Sequence, residues 1–85
     1  MSKQVTIYST PVCPYCRRAK SLFDELKVQY KEVDLAGDEK LRNEMVEKYQ
    51  WQTVPMIFVG DEFIGGYDDM IALHAENKFL EKVNS

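Results

Sequence analysis

The spacing of apolar residues along this chain alternates between the periods typical of strands and of helices. Residues 4–9 are rich in β-branched and aromatic types and end at a Thr-Pro pair, which predicts a strand. From Pro14 to Lys27, apolar side chains recur at three- and four-residue intervals, while charged side chains fill the opposite face. Proline suits the first turn of a helix, where a missing N–H costs nothing. We therefore expect a strand that leads into an amphipathic helix.

A second strand and a second helix are predicted next. Residues 29–34 alternate between apolar and polar types, which indicates a strand. Gly37 then breaks the chain, and Asp38 is a suitable N-cap for a helix that continues to about Tyr49. Two strands joined by a helix are expected to be parallel, with a right-handed crossover.

The last part of the chain predicts a hairpin and a final helical region. The continuous apolar run 54–59 is typical of a buried central strand, a Gly-Asp pair is a turn signal, and residues 62–64 form the returning arm. A last helical region opens at Asp68 and carries apolar residues as far as Val83. The predicted order β-α-β-α-β-β-α indicates an α/β protein, with a mixed four-stranded sheet flanked by helices. This arrangement resembles the thioredoxin fold.

Length and charge exclude several classes of protein. With 85 residues, the chain is expected to form one domain over residues 1–85. The net charge is −3 and no basic stripe is present, so nucleic acid is not an expected partner. No apolar run approaches the roughly 20 residues of a membrane span, and residues 1–10 lack the features of a signal peptide. The sequence therefore predicts a monomeric cytoplasmic protein that does not bind membranes.

The only two cysteines, Cys13 and Cys16, lie where the first helix is predicted to begin. Backbone N–H groups in the first turn of a helix have no partner within the helix and carry partial positive charge, so they favour a thiolate. We expect Cys13, at the entrance, to be the nucleophile of a thiol–disulfide exchange reaction. Cys16, one turn deeper, is expected to be the resolving thiol.

Two other uses of the cysteine pair are less well supported. A zinc site needs four ligands, and the only histidine, His74, is far away in sequence, so no metal site is expected. A structural disulfide across so short a loop would add little stability. Catalysis is the better interpretation.

Three motifs together resemble those of the glutaredoxins, in their dithiol class: Cys13-Pro14-Tyr15-Cys16, Thr53-Val54-Pro55 and Gly65-Gly66-Tyr67-Asp68-Asp69. The resemblance implies an enzyme that uses glutathione to reduce protein disulfides and glutathione mixed disulfides. It also implies that glutathione is a co-substrate and that no cofactor is bound permanently. The implied protein partners contain disulfides or are glutathionylated.

The resemblance further implies where glutathione binds. A cis peptide bond would precede Pro55, and the backbone at Thr53 and Val54 would pair with the cysteinyl part of the tripeptide. Tyr15 would lie against the ligand or shield the sulfur atoms. Trp51 and Gln52 border the implied groove, and Trp51 is equally well explained as a surface-packed aromatic residue. From the residues alone, Pro55 is equally well explained as a turn or edge-strand proline, and Thr53 and Val54 as core residues.

The segment Gly66-Tyr67-Asp68-Asp69 is implied to hold the γ-glutamyl end of glutathione. Glycine lets a ligand approach the backbone, and N–H groups at a helix start suit a carboxylate. The Asp69 side chain suits the ammonium group of the same zwitterion. The alternative is that Asp68 and Asp69 only cap the helix.

Two positions depart from the family pattern. Thr10 stands where dithiol glutaredoxins usually have Lys or Arg, and Gln52 stands where many members carry Arg. Loss of these cations predicts glutathione binding weaker by about 1 kcal/mol, the scale of an exposed ion pair. Arg17 and Lys20 are nearby cations that could compensate.

Two rival functions remain open from the sequence. A flavoprotein reductase, in place of glutathione, could reduce the disulfide formed by the two cysteines, although the Gly-Gly-Tyr-Asp-Asp segment argues against this. Two chains with two glutathione molecules could instead hold an iron–sulfur cluster. Pro14 and Tyr15 stiffen and crowd the motif, which disfavours that role.

Overall fold

The computed structural model describes residues 3–84, which form a four-stranded sheet and four helices. The strands are β1 (Val5–Ser9), β2 (Tyr30–Asp34), β3 (Met56–Val59) and β4 (Glu62–Gly65). The helices are α1 (Pro14–Glu25), α2 (Glu39–Tyr49), α3 (Tyr67–Ala75) and α4 (Lys78–Asn84). The strand order is β2-β1-β3-β4, with β1 and β2 parallel and the other pairs antiparallel. The predicted mixed sheet is confirmed.

The two central strands hold most of the core. β3 is buried at every position, as its continuous apolar sequence predicts, and β1 is buried at alternate positions. One cluster joins the sheet to α1, α3 and α4, and its buried members are Val5, Ile7, Ala19, Phe23, Ile57, Val59, Met70, Phe79 and Val83. A second cluster packs α2 against the sheet, and its buried members are Leu35, Met45, Met56 and Phe58. Burial of these side chains is the dominant favourable contribution to folding.

The register of the antiparallel strands brings three distant segments to one end of the sheet. Tyr8 pairs with Met56, so the residues that follow β1 lie beside those that precede β3. Ile57 pairs with Gly65, so the end of β4 reaches the same end of the sheet. The cysteine loop, the loop before β3 and the start of α3 therefore meet there.

The final helical region differs from the prediction, because it is two helices. The Asn77 N–H donates to the His74 carbonyl at 2.9 Å and closes the end of α3. Asn77 itself has a left-handed backbone (φ 60°), which asparagine tolerates better than most residues. The chain then restarts as α4, which places Phe79 and Val83 in the core.

The end of α1 and the start of β3 also differ from the sequence prediction, and each has a local cause. α1 ends at Glu25 because Lys27 has a left-handed backbone (φ 58°) and its N–H donates back to the Asp24 carbonyl. β3 begins at Met56, since Pro55 has no N–H to contribute to the ladder.

We predict that Gln50→Gly stabilises the fold. Gln50 is exposed and ends α2 with a left-handed backbone (φ 52°, ψ 42°), where a Cβ atom is unfavourable. Relief of this strain exceeds the extra entropy of glycine in the unfolded chain, so the free energy of unfolding should rise by about 0.5–1 kcal/mol. Urea denaturation measures the change.

The matched control is Gly37→Ala, which makes the opposite change. Gly37 has φ +79°, and apart from Gly37 and its two chain neighbours no described residue has a heavy atom within 4 Å of the position that the alanine methyl group would occupy, so backbone strain alone should lower stability. A Gln50→Gly variant no more stable than the parent would contradict the assignment of strain to this position.

Candidate active site

Cys13 lies in the turn after β1 and is the N-cap of α1, with Pro14 in the first helical position. Its backbone is extended (φ −92°, ψ 112°), so the side chain turns back over the helix start. The Cys13 sulfur accepts a hydrogen bond from the Cys16 N–H at 3.1 Å. A helix-start donor therefore points at this sulfur, as the sequence predicts.

The two thiols are free and are buried to different depths. Cys13 is 8% exposed and Cys16 is 1% exposed, which confirms that Cys16 is the deeper thiol. Burial, followed by the hydrogen bond with Cys13, raises the pKa of Cys16 to about 12. Cys16 is therefore a neutral thiol at physiological pH.

The loop before β3 lies against the cysteine turn. The Cys13 thiol donates to the Val54 carbonyl oxygen at 3.5 Å. The Val54–Pro55 peptide bond is cis, which confirms the expectation drawn from the family resemblance. Pro55 is buried, Val54 is half-buried and Thr53 is exposed. This loop is therefore a wall of the site that contacts the Cys13 sulfur.

A groove of about 490 Å³ opens beside this loop. Its lining residues are Tyr15, Trp51, Thr53, Val54, Pro55, Gly66, Tyr67, Asp68 and Asp69. The structure thus brings together all eight residues that the resemblance implied for glutathione, and adds Trp51, which the sequence had placed at the border. Thr10 and Gln52, the two departures from the family pattern, are not among its described lining residues.

The start of α3 closes the far side of the groove. Asp69 Oδ2 accepts a hydrogen bond from the Gly66 N–H at 3.0 Å, so this carboxylate caps the helix. Gly65 has φ +120°, and a Cβ atom there would collide with the Asp69 carboxylate. A Cβ atom on Gly66 would lie 3.2 Å from the Trp51 ring. The two glycines therefore allow Asp69 and Trp51 to pack closely at this point.

Aromatic rings frame the groove. The Tyr15 and Tyr67 ring centroids are 5.9 Å apart, and the Arg18 guanidinium lies 5.3 Å from the Tyr15 centroid. Trp51 packs edge-on against Phe63, with centroids 5.4 Å apart. These contacts fix the aromatic walls of the groove against side chains of the helices and the sheet.

Some classes of site are not found within residues 3–84. No group of three or more His, Cys, Asp or Glu side chains is arranged to hold a metal ion in this part of the chain. The helices described there are all too short or too polar to cross a bilayer.

Comparisons with known proteins agree with this geometry. The family model described as Glutaredoxin matches residues 5–64. The chain is 42% identical over 71 residues to Glutaredoxin 3 of Escherichia coli, covering 84% of this chain and 86% of that protein. It is 42% identical over 74 residues to a glutaredoxin of Pseudomonas aeruginosa, covering 87% and 88%.

Solved structures give the same result. The crystal structure of a buckwheat glutaredoxin–glutathione complex superimposes with a TM-score of 0.89 and 28% identity, covering 93% of this chain and 74% of that one. A wheat glutaredoxin superimposes with a TM-score of 0.88 and 30% identity, covering 93% and 79%. The thioredoxin fold expected from the sequence is confirmed.

A cysteine pair at a helix start, opposite a cis-proline loop in this fold, makes the protein a thiol–disulfide oxidoreductase. Within that class, the chain belongs to the glutaredoxin family.

We predict that iodoacetamide modifies Cys13 alone in the reduced, folded protein. Only the thiolate reacts, and the raised pKa and burial of Cys16 keep it protonated and shielded at about pH 8. Mass spectrometry should find one adduct, and a second only after denaturation. Cys13→Ser is the control and should stay unmodified under the same conditions. Equal labelling of both cysteines in the folded protein would contradict the assigned asymmetry.

Proposed function

We propose that this protein is a glutathione-dependent oxidoreductase that reduces protein disulfides and glutathione mixed disulfides. The observation that carries the proposal is the single groove that extends from the Val54 loop, beside the Cys13 sulfur, to the start of α3. Its volume of about 490 Å³ lies in the range of sites for small ligands. Glutathione is a zwitterionic tripeptide, so it needs both a backbone partner and a site for charge, and the groove offers both.

In the proposed reaction, the Cys13 thiolate attacks a disulfide and forms a mixed disulfide, which releases the first thiol of the substrate. With a glutathionylated substrate, glutathione stays on Cys13, and a second glutathione then attacks it to give glutathione disulfide and the free Cys13 thiolate. With a protein disulfide, Cys16 displaces the substrate and closes a Cys13–Cys16 disulfide. Two molecules of glutathione later reduce that disulfide.

The proposed binding mode divides glutathione between the two walls. The backbone of the exposed Thr53 and the half-buried Val54 pairs with the cysteinyl part as a short added strand. The free N–H groups at the start of α3 bind the γ-glutamyl carboxylate. One Asp69 oxygen already accepts from the Gly66 N–H, which leaves the other oxygen for the ammonium group. The buckwheat relative crystallised in complex with glutathione supports this choice of ligand.

The remaining expectations from the sequence belong to the same proposal. Residues 1–85 would act as one domain and as a monomer, with glutathione as a co-substrate and no permanently bound cofactor. The radius of gyration of 12.3 Å is that of a compact chain of this length. The cytoplasmic location stays a prediction.

We predict that Cys16→Ser separates the two activities. The variant should still remove glutathione from a small mixed disulfide in an assay coupled to glutathione reductase, because that reaction needs only Cys13. It should lose at least about tenfold in the reduction of a protein disulfide, which needs the resolving thiol. Cys13→Ser is the control and should lose both activities. Full retention of both activities in Cys16→Ser would show that the assigned roles are wrong.

A further inference from the structure

A polar network joins Ser9, Lys20 and Glu32, none of which is among the residues that line the groove. Ser9 Oγ donates to Glu32 Oε2 at 2.7 Å, and Lys20 Nζ donates to the same oxygen at 2.8 Å. Ser9 is 2% exposed, whereas the Lys20 and Glu32 side chains are 29% and 40% exposed. The three residues come from β1, α1 and β2, so the network depends on the fold rather than on local sequence.

The network fixes the charge of Lys20, which lies one helical turn beyond Cys16 on α1. Lys20 follows Cys16 by four residues on α1, so the two side chains lie on one face of the helix, a turn apart. The hydrogen bond to Glu32 raises the pKa of Lys20, and the hydrogen bonds from Lys20 and then Ser9 lower the pKa of Glu32. Both side chains are therefore ionised at neutral pH.

Several neighbouring groups influence the ionisation of Cys16 and Lys20. Burial, followed by the hydrogen bond and the charge of Cys13, disfavours the ionised form of Cys16, whereas a hydrogen bond with the Thr10 backbone and, to a smaller extent, the charge of Lys20 favour it. Glu32 and Tyr30, both on β2, act on Lys20. An ion pair this exposed adds little to stability, so stability alone does not explain why it lies one helical turn from a buried thiol.

A nearby positive charge would favour the resolving step, because negative charge develops on the Cys16 sulfur during it. Cys16 begins as a buried neutral thiol, and its sulfur becomes negative as it attacks the sulfur of Cys13 in the mixed disulfide. The new Cys13–Cys16 bond forms, the bond to the substrate breaks, the substrate leaves as a thiolate, and the Cys16 proton passes to solvent or to that thiolate.

We propose that Lys20, held in place by Glu32 and Ser9, stabilises the negative charge that develops on Cys16 during the resolving step. Ser9 and Glu32 are positioning residues, since they act through Lys20. The inference rests on the proposed exchange chemistry of the two cysteines, but it does not depend on glutathione as the reductant.

The test is the reaction of the reduced protein with dithiobis(nitrobenzoate), followed by stopped-flow absorbance. Attack by Cys13 releases the first nitrothiobenzoate. Attack by Cys16 on the resulting mixed disulfide releases the second, so the two chemical steps appear as separate phases. Cys16→Ser identifies them, because it should show the first phase alone.

We predict that Lys20→Gln slows the second phase about three- to tenfold, moves its pH dependence to higher pH, and leaves the first phase unchanged. Removal of a cation disfavours the ionised thiol, which gives the sign of the shift. Lys20→Arg should restore the rate. The matched control is Lys31→Gln, which removes the same charge from an exposed position on β2 and should change neither phase.

Glu32→Gln tests the positioning role separately and guards against a folding defect in the Lys20 variant. It should also slow the second phase, because the Lys20 ammonium group is no longer held, and circular dichroism verifies the fold.

An unchanged second phase in Lys20→Gln, or equal slowing of both phases, would overturn the proposal. A faster second phase in Glu32→Gln would overturn the positioning role. Failure of glutathione turnover with intact two-phase kinetics would count against the proposed function alone.

Discussion

The hydrogen bond from the Cys16 N–H to the Cys13 sulfur is the interaction that organises the site. It makes the Cys13 sulfur the cap of α1, so the residue proposed as the nucleophile is also the residue that caps the start of the helix. The same turn of helix carries Cys16 into the core, where burial keeps it protonated. One local geometry therefore gives the two cysteine side chains different burial and different hydrogen bonds.

The sheet register supplies the second half of the site. Pairing of Tyr8 with Met56 and of Ile57 with Gly65 sets the cysteine turn, the Val54–Pro55 loop and the start of α3 side by side. The central strands that impose this register are also the most buried, so core stability and site geometry have a common cause. Glycines at the junction of β4 and α3 then let side chains approach where a Cβ atom would block them.

Much of this could be predicted, because the elements carry strong periodic patterns and the three motifs are contiguous in sequence. The break between α3 and α4 could not, since it depends on one left-handed residue, Asn77, within a region of continuous helical character. The link from Ser9 to Glu32 and Lys20 was also missed, because it joins three elements and has no spacing of its own. The glutathione contacts stay predictions, although the residues named for them line one groove.

Backbone amide chemical shifts in Cys16→Ser, with glutathione bound to Cys13 as a mixed disulfide, would show directly whether the groove holds the tripeptide. If it does, the largest shift changes fall at Thr53, Val54 and the segment 66–69. A larger cavity of about 710 Å³ lies at the opposite end of the sheet, near Gln4, Leu26 and Tyr30, and offers an internal comparison. Shift changes concentrated at that cavity, with none along the groove, would contradict the assignment of the groove to glutathione.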